Sequence, residues 1–218
     1  MRIHLLHLGA FADEVARSAE AALTAGEHRV TTGDAAANLT AVPAFWPRSD
    51  LHVLVTGRTS RHVERMLDRS VVESRTPAVT ICLEHPRLRL GPLVDGTGAC
   101  LECLHRRRAQ HEHTYAKVQP LLGAYDADPR LEPFGHLPHQ VALATGWLAT
   151  LVEAMEHGRA QRFSGRVSYL NLLTGASGSD HVVGVHGCRR CRQTPPLAES
   201  SWRALAADLA TVGGDHRG

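Results

Sequence analysis

Residues 91–108 read GPLVDGTGACLECLHRRR, and the chain changes texture across them. Three of the first eight residues are glycines, and a cysteine pair then opens a polar helical pattern. Upstream, short apolar runs alternate with helical ones. Residues 2–8 and 28–32 read as strands around a helix over 12–25, in which Val15, Ala19, Ala22 and Leu23 share one face. Leu51–Thr56, LHVLVT, is a third strand. Ser60 is placed as N-cap of a helix to about Ser74 with Val63, Met66, Leu67 and Val71 inward, and Ala78–Leu83 is a fourth strand. Strands separated by helices predict a parallel sheet with crossover connections, so residues 1–92 form one α/β unit.

Downstream, the pattern predicts a polar helix over 101–122, a loop over 124–137 and a second helix over 138–157. Val141, Ala144, Leu148, Leu151, Val152 and Met155 line one face of the second helix. Strands over 166–174 and 181–185 are expected to pair around Gly175–Asp180. A last helix over 197–211 and a frayed tail over 213–218 complete the expectation. Residues 1–92 and 93–212 then read as two halves of one domain. The face of helix 138–157 is richer in large apolar side chains, Trp147 included, than a surface helix requires; core packing and a homodimer contact both account for it.

At 218 residues the chain suits one large domain or two small ones. A net charge of +2 with 43% hydrophobic residues describes a globular chain, and bulk charge indicates no nucleic-acid tail. Lys117 is the single lysine and no GxxxxGK[ST] occurs, which excludes a P-loop. The apolar stretch at residues 3–10 is a poor signal peptide, and the longest one, 141–155, is too short to span a bilayer, so a cytoplasmic protein is expected.

Five cysteines in such a chain point to metal or thiol chemistry. Cys100-Leu-Glu-Cys103 and Cys188-Arg-Arg-Cys191 are two CxxC knuckles, each beside glycines. Each turn aims two sulfurs at one point, and two turns close a four-thiolate shell around a structural zinc ion, with no open position for catalysis. A thioredoxin-type dithiol is the competing reading of a single CxxC. His105 and His186 stand close enough in sequence to replace a cysteine, and Cys82 reads as an inert core thiol. Most of the fifteen histidines lie beside arginines or on polar helices and read as solvated; none is taken as a catalytic base. Arg106, Arg107, Arg108, Arg189, Arg190 and Arg192 would form a local basic patch if a metal drew the knuckles together.

A dinucleotide-binding turn carries GxGxxG after the first strand. Here Gly9 is followed by Phe11 and Glu14 where the second and third glycines belong. Phe11 obstructs approach of a pyrophosphate, and Asp13 and Glu14 place negative charge at the helix start. Gly9 and Asp34 are therefore vestiges, and ATP binding is not expected.

With Gly91-Pro92-Leu93-Val94, Ala99-Cys100-Leu101-Glu102-Cys103-Leu104 and the late Gly187-Cys188 and Cys191, the chain resembles the ThiF-like family related to ubiquitin-activating enzymes. More narrowly it is similar to the divergent branch that partners cyclodehydratases in making azoline-containing ribosomal peptides. The resemblance implies a degenerate Rossmann-like sheet, a structural zinc on the four cysteines, and an accessory role beside a YcaO-type ATP-dependent enzyme and its precursor peptide. The chain departs from adenylating members at the broken glycine turn and at Thr56-Gly57-Arg58, where those enzymes place an acidic residue. Two alternatives stand beside the accessory reading: an ATP-dependent adenylating enzyme acting on a peptide or carrier carboxylate, and a zinc-ribbon module for nucleic acid, which the lack of aromatics among the arginines disfavours.

Overall fold

The computed structural model describes residues 1–37, 42–128, 131–133 and 135–191. The expected helix over 197–211, the tail and Arg192 lie outside them. Twelve principal elements follow in chain order: β1 (Arg2–Leu8), α1 (Ala10–Ala25), β2 (Arg29–Asp34), β3 (Leu51–Thr56), α2 (Arg61–Ser74), β4 (Ala78–Glu84), β5 (Arg87–Val94), α3 (Leu101–His111), α4 (Tyr115–Ala127), α5 (Pro138–Glu156), β6 (Arg166–Asn171) and β7 (Ser177–His181). The seven strands form one sheet in the order β2-β1-β3-β4-β5-β6-β7. The first four are mutually parallel, as the alternation of strands and helices predicts. From β5 onward every pairing is antiparallel.

The central strands are covered on both faces, which is why β1, β3 and β4 read as nearly unbroken apolar runs. Alternation still sorts their side chains. Leu5, Val53, Val55 and Ile81 join the core beneath α1 and α5, whereas Leu6 and Leu54 join the one beneath α2 and α3. Val141, Ala144, Leu148, Leu151 and Val152 of α5 are buried in the first of these cores, and α5 packs along α1. Trp147 meets Phe163 edge-to-face at 5.7 Å. The apolar face that raised the homodimer expectation is thus occupied within the chain.

Three boundaries differ from expectation. The residue 92/93 division falls inside β5, so both halves share one continuous sheet. The polar helix breaks at 112–114 and resumes as α4 to Ala127, where a loop was expected from 124. At the break, the Glu112 carboxylate accepts hydrogen bonds from Arg87 and Arg108. The hairpin's second strand is Ser177–His181 and not 181–185, with Arg166 opposite His181 and Leu170 opposite Ser177. SGSDH carries no apolar alternation because it is an edge strand exposed along its whole length.

Candidate metal centre and its surroundings

The centre begins at the N-terminus of α3. Cys100 is the N-cap residue and Cys103 lies one turn into the helix, so both sulfurs leave the same side. Cys100 makes no cap of its own; Asp68 of α2 does the work from across the interface, its two carboxylate oxygens accepting the N–H groups of Leu101 and Glu102, each at 3.0 Å. Burial pushes the Asp68 carboxyl up to about 6 in spite of those two donors. The second knuckle turns at Gly187, whose φ of +65° suits glycine, and the Cys188 N–H donates to Val185 O.

The sulfur of Cys100 lies 3.8 Å from that of Cys103 and 3.7 Å from that of Cys188, and Cys103 lies 3.7 Å from Cys191. All four sulfurs fall within 4.8 Å of one another, a set that can hold a metal ion. No disulfide joins them. The Val185 N–H donates to the Cys103 sulfur at 3.3 Å. The hydrogen bond from Cys100 draws the Cys103 thiol down, and the same contact together with burial drives Cys100 upward. Cys82 stands apart in β4, fully buried, its thiol pushed by burial up to about 12, which fits an inert core residue. Neither His105 nor His186 joins the thiol set.

His105 belongs to a second polar centre, which the sequence did not announce. Arg89 of β5 is fully buried. It donates to Glu64 of α2 at 2.5 Å, to Glu84 at the end of β4 at 2.8 Å, and to Thr80 Oγ1 at 2.8 Å. The other Glu64 oxygen bonds to His105 Nε2, and Glu84 also takes Arg108 at 2.8 Å. Burial alone would raise both carboxyls, but Arg89 with His105 holds Glu64 at about 2, and Arg89 with Arg108 holds Glu84 at about 2. The expectation that the histidines are solvated is corrected here. His105 is buried in this lattice, and His4 and His52 are buried beneath Trp46, where burial lowers His52 to about 4.

The basic patch separates into different duties. Arg106 is exposed and pairs with Glu102 one turn back. Arg107 donates to the carbonyls of Val183 and Gly184, holding the extended segment between β7 and the second knuckle. Arg108 is committed to the buried lattice. Arg189 is exposed and Arg190 half-buried.

At the first turn, Phe11 is buried and Gly9 has φ +92°. Asp34 accepts the Ala36 N–H at 2.8 Å, capping the turn after β2. The first N–H of α1, on Ala10, is taken by the Glu132 carboxylate. Arg58, in the place where an acidic residue was looked for, is buried and lies over the Tyr125 ring at 4.8 Å.

No family model matches the chain. No curated protein matches it in sequence. Solved structures do. The heterocyclase TruD matches with a TM-score of 0.63 at 18% identity over 87% of this chain and 27% of its own. The E. coli microcin synthetase McbBCD complex gives 0.60 at 12% over 86% of this chain and 67% of the matching one. E. coli MccB with MccA gives 0.59 at 14%, over 87% and 59%. This chain spans about a quarter of the length of the heterocyclase chains it matches. At these identities the likeness is one of fold, and it extends over most of the present chain.

Proposed function

We propose that this chain is a zinc-stapled, non-catalytic ThiF-like partner protein in the biosynthesis of an azoline-type ribosomal peptide, acting beside a YcaO-type ATP-dependent enzyme and its precursor. The observation that carries the reading is the fold likeness to part of a heterocyclase, found in a chain whose own nucleotide turn is obstructed by Phe11 and filled by Glu132. Its parallel β2-β1-β3-β4 half is a degenerate Rossmann-like unit, with Gly9 and Asp34 as remnants. Cyclodehydration requires activation of a peptide amide, which the companion enzyme supplies. This chain contributes proximity, holding enzyme, precursor or both, and activation of its companion.

Zinc is the metal that the thiol set fits. A regular tetrahedron with zinc–sulfur bonds of about 2.3 Å has edges of about 3.8 Å; three of the sulfur pairs here lie at 3.7–3.8 Å, and all lie within 4.8 Å. Cys100, Cys103, Cys188 and Cys191 would hold the ion as a closed four-thiolate shell, tying α3 to a segment more than eighty residues later in the chain. Such a shell supplies structure and leaves no position for an activated water.

Reconstitution tests the reading. Companion enzyme and precursor are assayed for ATP-dependent ring formation with and without this chain. A stimulated rate in its presence is expected, together with no pyrophosphate release by the isolated chain given ATP and peptide. Unchanged companion activity, or ATP consumption by this chain alone, sinks it.

A further inference from the structure

The N-terminus of α1 has no side-chain cap from its own first turn. Its leading N–H, on Ala10, faces the Glu132 carboxylate, 3.1 Å from Oε2 and 3.3 Å from Oε1, and 122 residues separate the two in sequence. A helix start concentrates unsatisfied N–H groups and the positive end of the helix dipole, which together attract an anion. In this chain the anion is one of its own side chains.

The backbone around it is shaped for a close approach. A Cβ on Gly9 would stand 1.9 Å from Glu132 Oε2, so the turn at the carboxyl end of β1 admits the carboxylate because it carries no side chain there, whereas a Cβ on Gly57 would make only ordinary contact with that oxygen, at 3.6 Å. The next residue, Arg58, is 3% exposed, and its Nε and Nη1 have no hydrogen-bond partner; only Nη2 is engaged, by Asp128 O at 3.4 Å. A buried guanidinium with two unbonded nitrogens, on which the charges of Asp126 and, less strongly, Glu132 act, is a second sign of a place made for negative charge. The loop bearing Glu132 is pinned by His136, which pairs with Glu14 at 3.2 Å and lies edge-on to Phe11 at 5.8 Å. The space left beside it, walled by Phe11, His85, Pro133 and His136, is about 80 Å³, well below the few hundred Å³ of an ordinary ligand pocket.

We propose that Glu132 is a built-in anion that plugs this site, and that the α1 N-terminus and Arg58 regain affinity for a phosphate-type oxyanion once its charge is withdrawn. The plug goes beyond the partner-protein reading and does not depend on it, because it is measured on the isolated chain.

Inorganic pyrophosphate is titrated calorimetrically into the wild-type chain, Glu132→Ala, Glu132→Gln and the double variant Glu132→Ala/Arg58→Met. Binding about tenfold tighter in Glu132→Ala than in wild type is expected, with loss of the gain in the double variant. Hydrogen exchange at the Ala10 amide is expected to quicken in Glu132→Ala, and less in Glu132→Gln, which keeps one acceptor oxygen. Equal pyrophosphate affinity in wild type and Glu132→Ala, or an Ala10 amide indifferent to both substitutions, overturns the proposal. Since Glu132 is half-buried, an unchanged circular-dichroism spectrum of the variants establishes that the fold persists. Loss of companion-enzyme stimulation alone, with the pyrophosphate result as expected, bears only on the partner reading.

Discussion

The first turn of α3 meets four thiols, while the turns that follow, through His105 and Arg108, meet a buried lattice centred on Arg89. The lattice fastens α3 to α2, and the thiols bring the start of the same helix against residues 188–191. Glu64 and Asp68, one helical turn apart on α2, divide the labour: Glu64 serves the lattice, and Asp68 caps the start of the helix that carries the thiols. The lattice is self-sufficient, since every cation in it has a carboxylate of this chain. The thiols differ, because the four sulfurs converge as a set that can hold a metal ion, which would come from outside the chain. The lattice is thus expected to answer to pH alone, and the thiols, if they hold zinc as proposed, to metal supply as well.

Metal loss should produce the largest effect. Changing Cys191 to Ser, or stripping the purified chain with a chelator, should remove about one zinc equivalent. The cost should be on the order of 5 kcal/mol of stability or more, a fall in Tm of roughly 10–20 °C. Metal analysis and thermal unfolding check this together, and a Cys191→Ser chain with undiminished zinc would refute the four-thiolate shell. Arg89→Met breaks the other fastener and leaves Glu64 and Glu84 buried without their main cation. A loss of about 3–5 kcal/mol is expected with zinc content intact. Acid sharpens the contrast. Both carboxyls sit near 2 in the folded chain, below the ordinary 4.5, so their stabilisation is complete above about pH 5 and drains away as pH falls towards 2. Urea unfolding followed down that range should show a steep decline in wild type and a shallower one in Arg89→Met.

The two centres were unequally legible in the sequence. Cysteine pairs announce themselves, because a CxxC turn has few uses and two of them share one natural product. The parallel strands were legible for a similar reason: LHVLVT and AVTICL are apolar on both faces, as only doubly covered strands need to be. The lattice was hidden by an ordinary pattern. Arg87-Leu-Arg-Leu90 falls in no element expected from the sequence, because its alternating arginines leave no apolar run, yet β5 lies inside the sheet and Arg89 bonds there to Glu64, Glu84 and Thr80. The one available signal was Glu64, placed among Val63, Met66 and Leu67 on a helix face that buries it. Glu132 offered no signal, because its partner is a backbone N–H distant in sequence. The edge strand β7 was misplaced for want of any buried side to leave a pattern.

Between the fasteners lies the cap. Asp68→Ala removes the acceptor for two N–H groups at the start of α3 and should cost about 1–2 kcal/mol. Its sharper consequence is kinetic. Cys100 and Cys103 are then held by the ion alone, so zinc transfer to a competing chelator should quicken, whereas Arg89→Met, which leaves the first turn capped, should not change that rate. Equal transfer rates in the two variants would mean that the thiols and the lattice act as one unit.

The smallest effect on stability belongs to Arg106. It lies one turn beyond Glu102 with half of its side chain in solvent, in a setting where screened ion pairs contribute little. Arg106→Ala should melt with wild type. Of the described arginines near the knuckles, Arg107 and Arg108 are occupied inside the chain and Arg190 is half-buried, so Arg106 and Arg189 are the exposed charges for a partner to meet. The double variant Arg106→Ala/Arg189→Ala should therefore keep its zinc and its Tm, yet stimulate the companion enzyme less, most visibly at low ionic strength where surface charge steers association. If stimulation is untouched at every salt concentration, docking uses another face, and the positive charge around the thiols serves the centre itself, balancing a shell that carries four thiolates around a divalent ion.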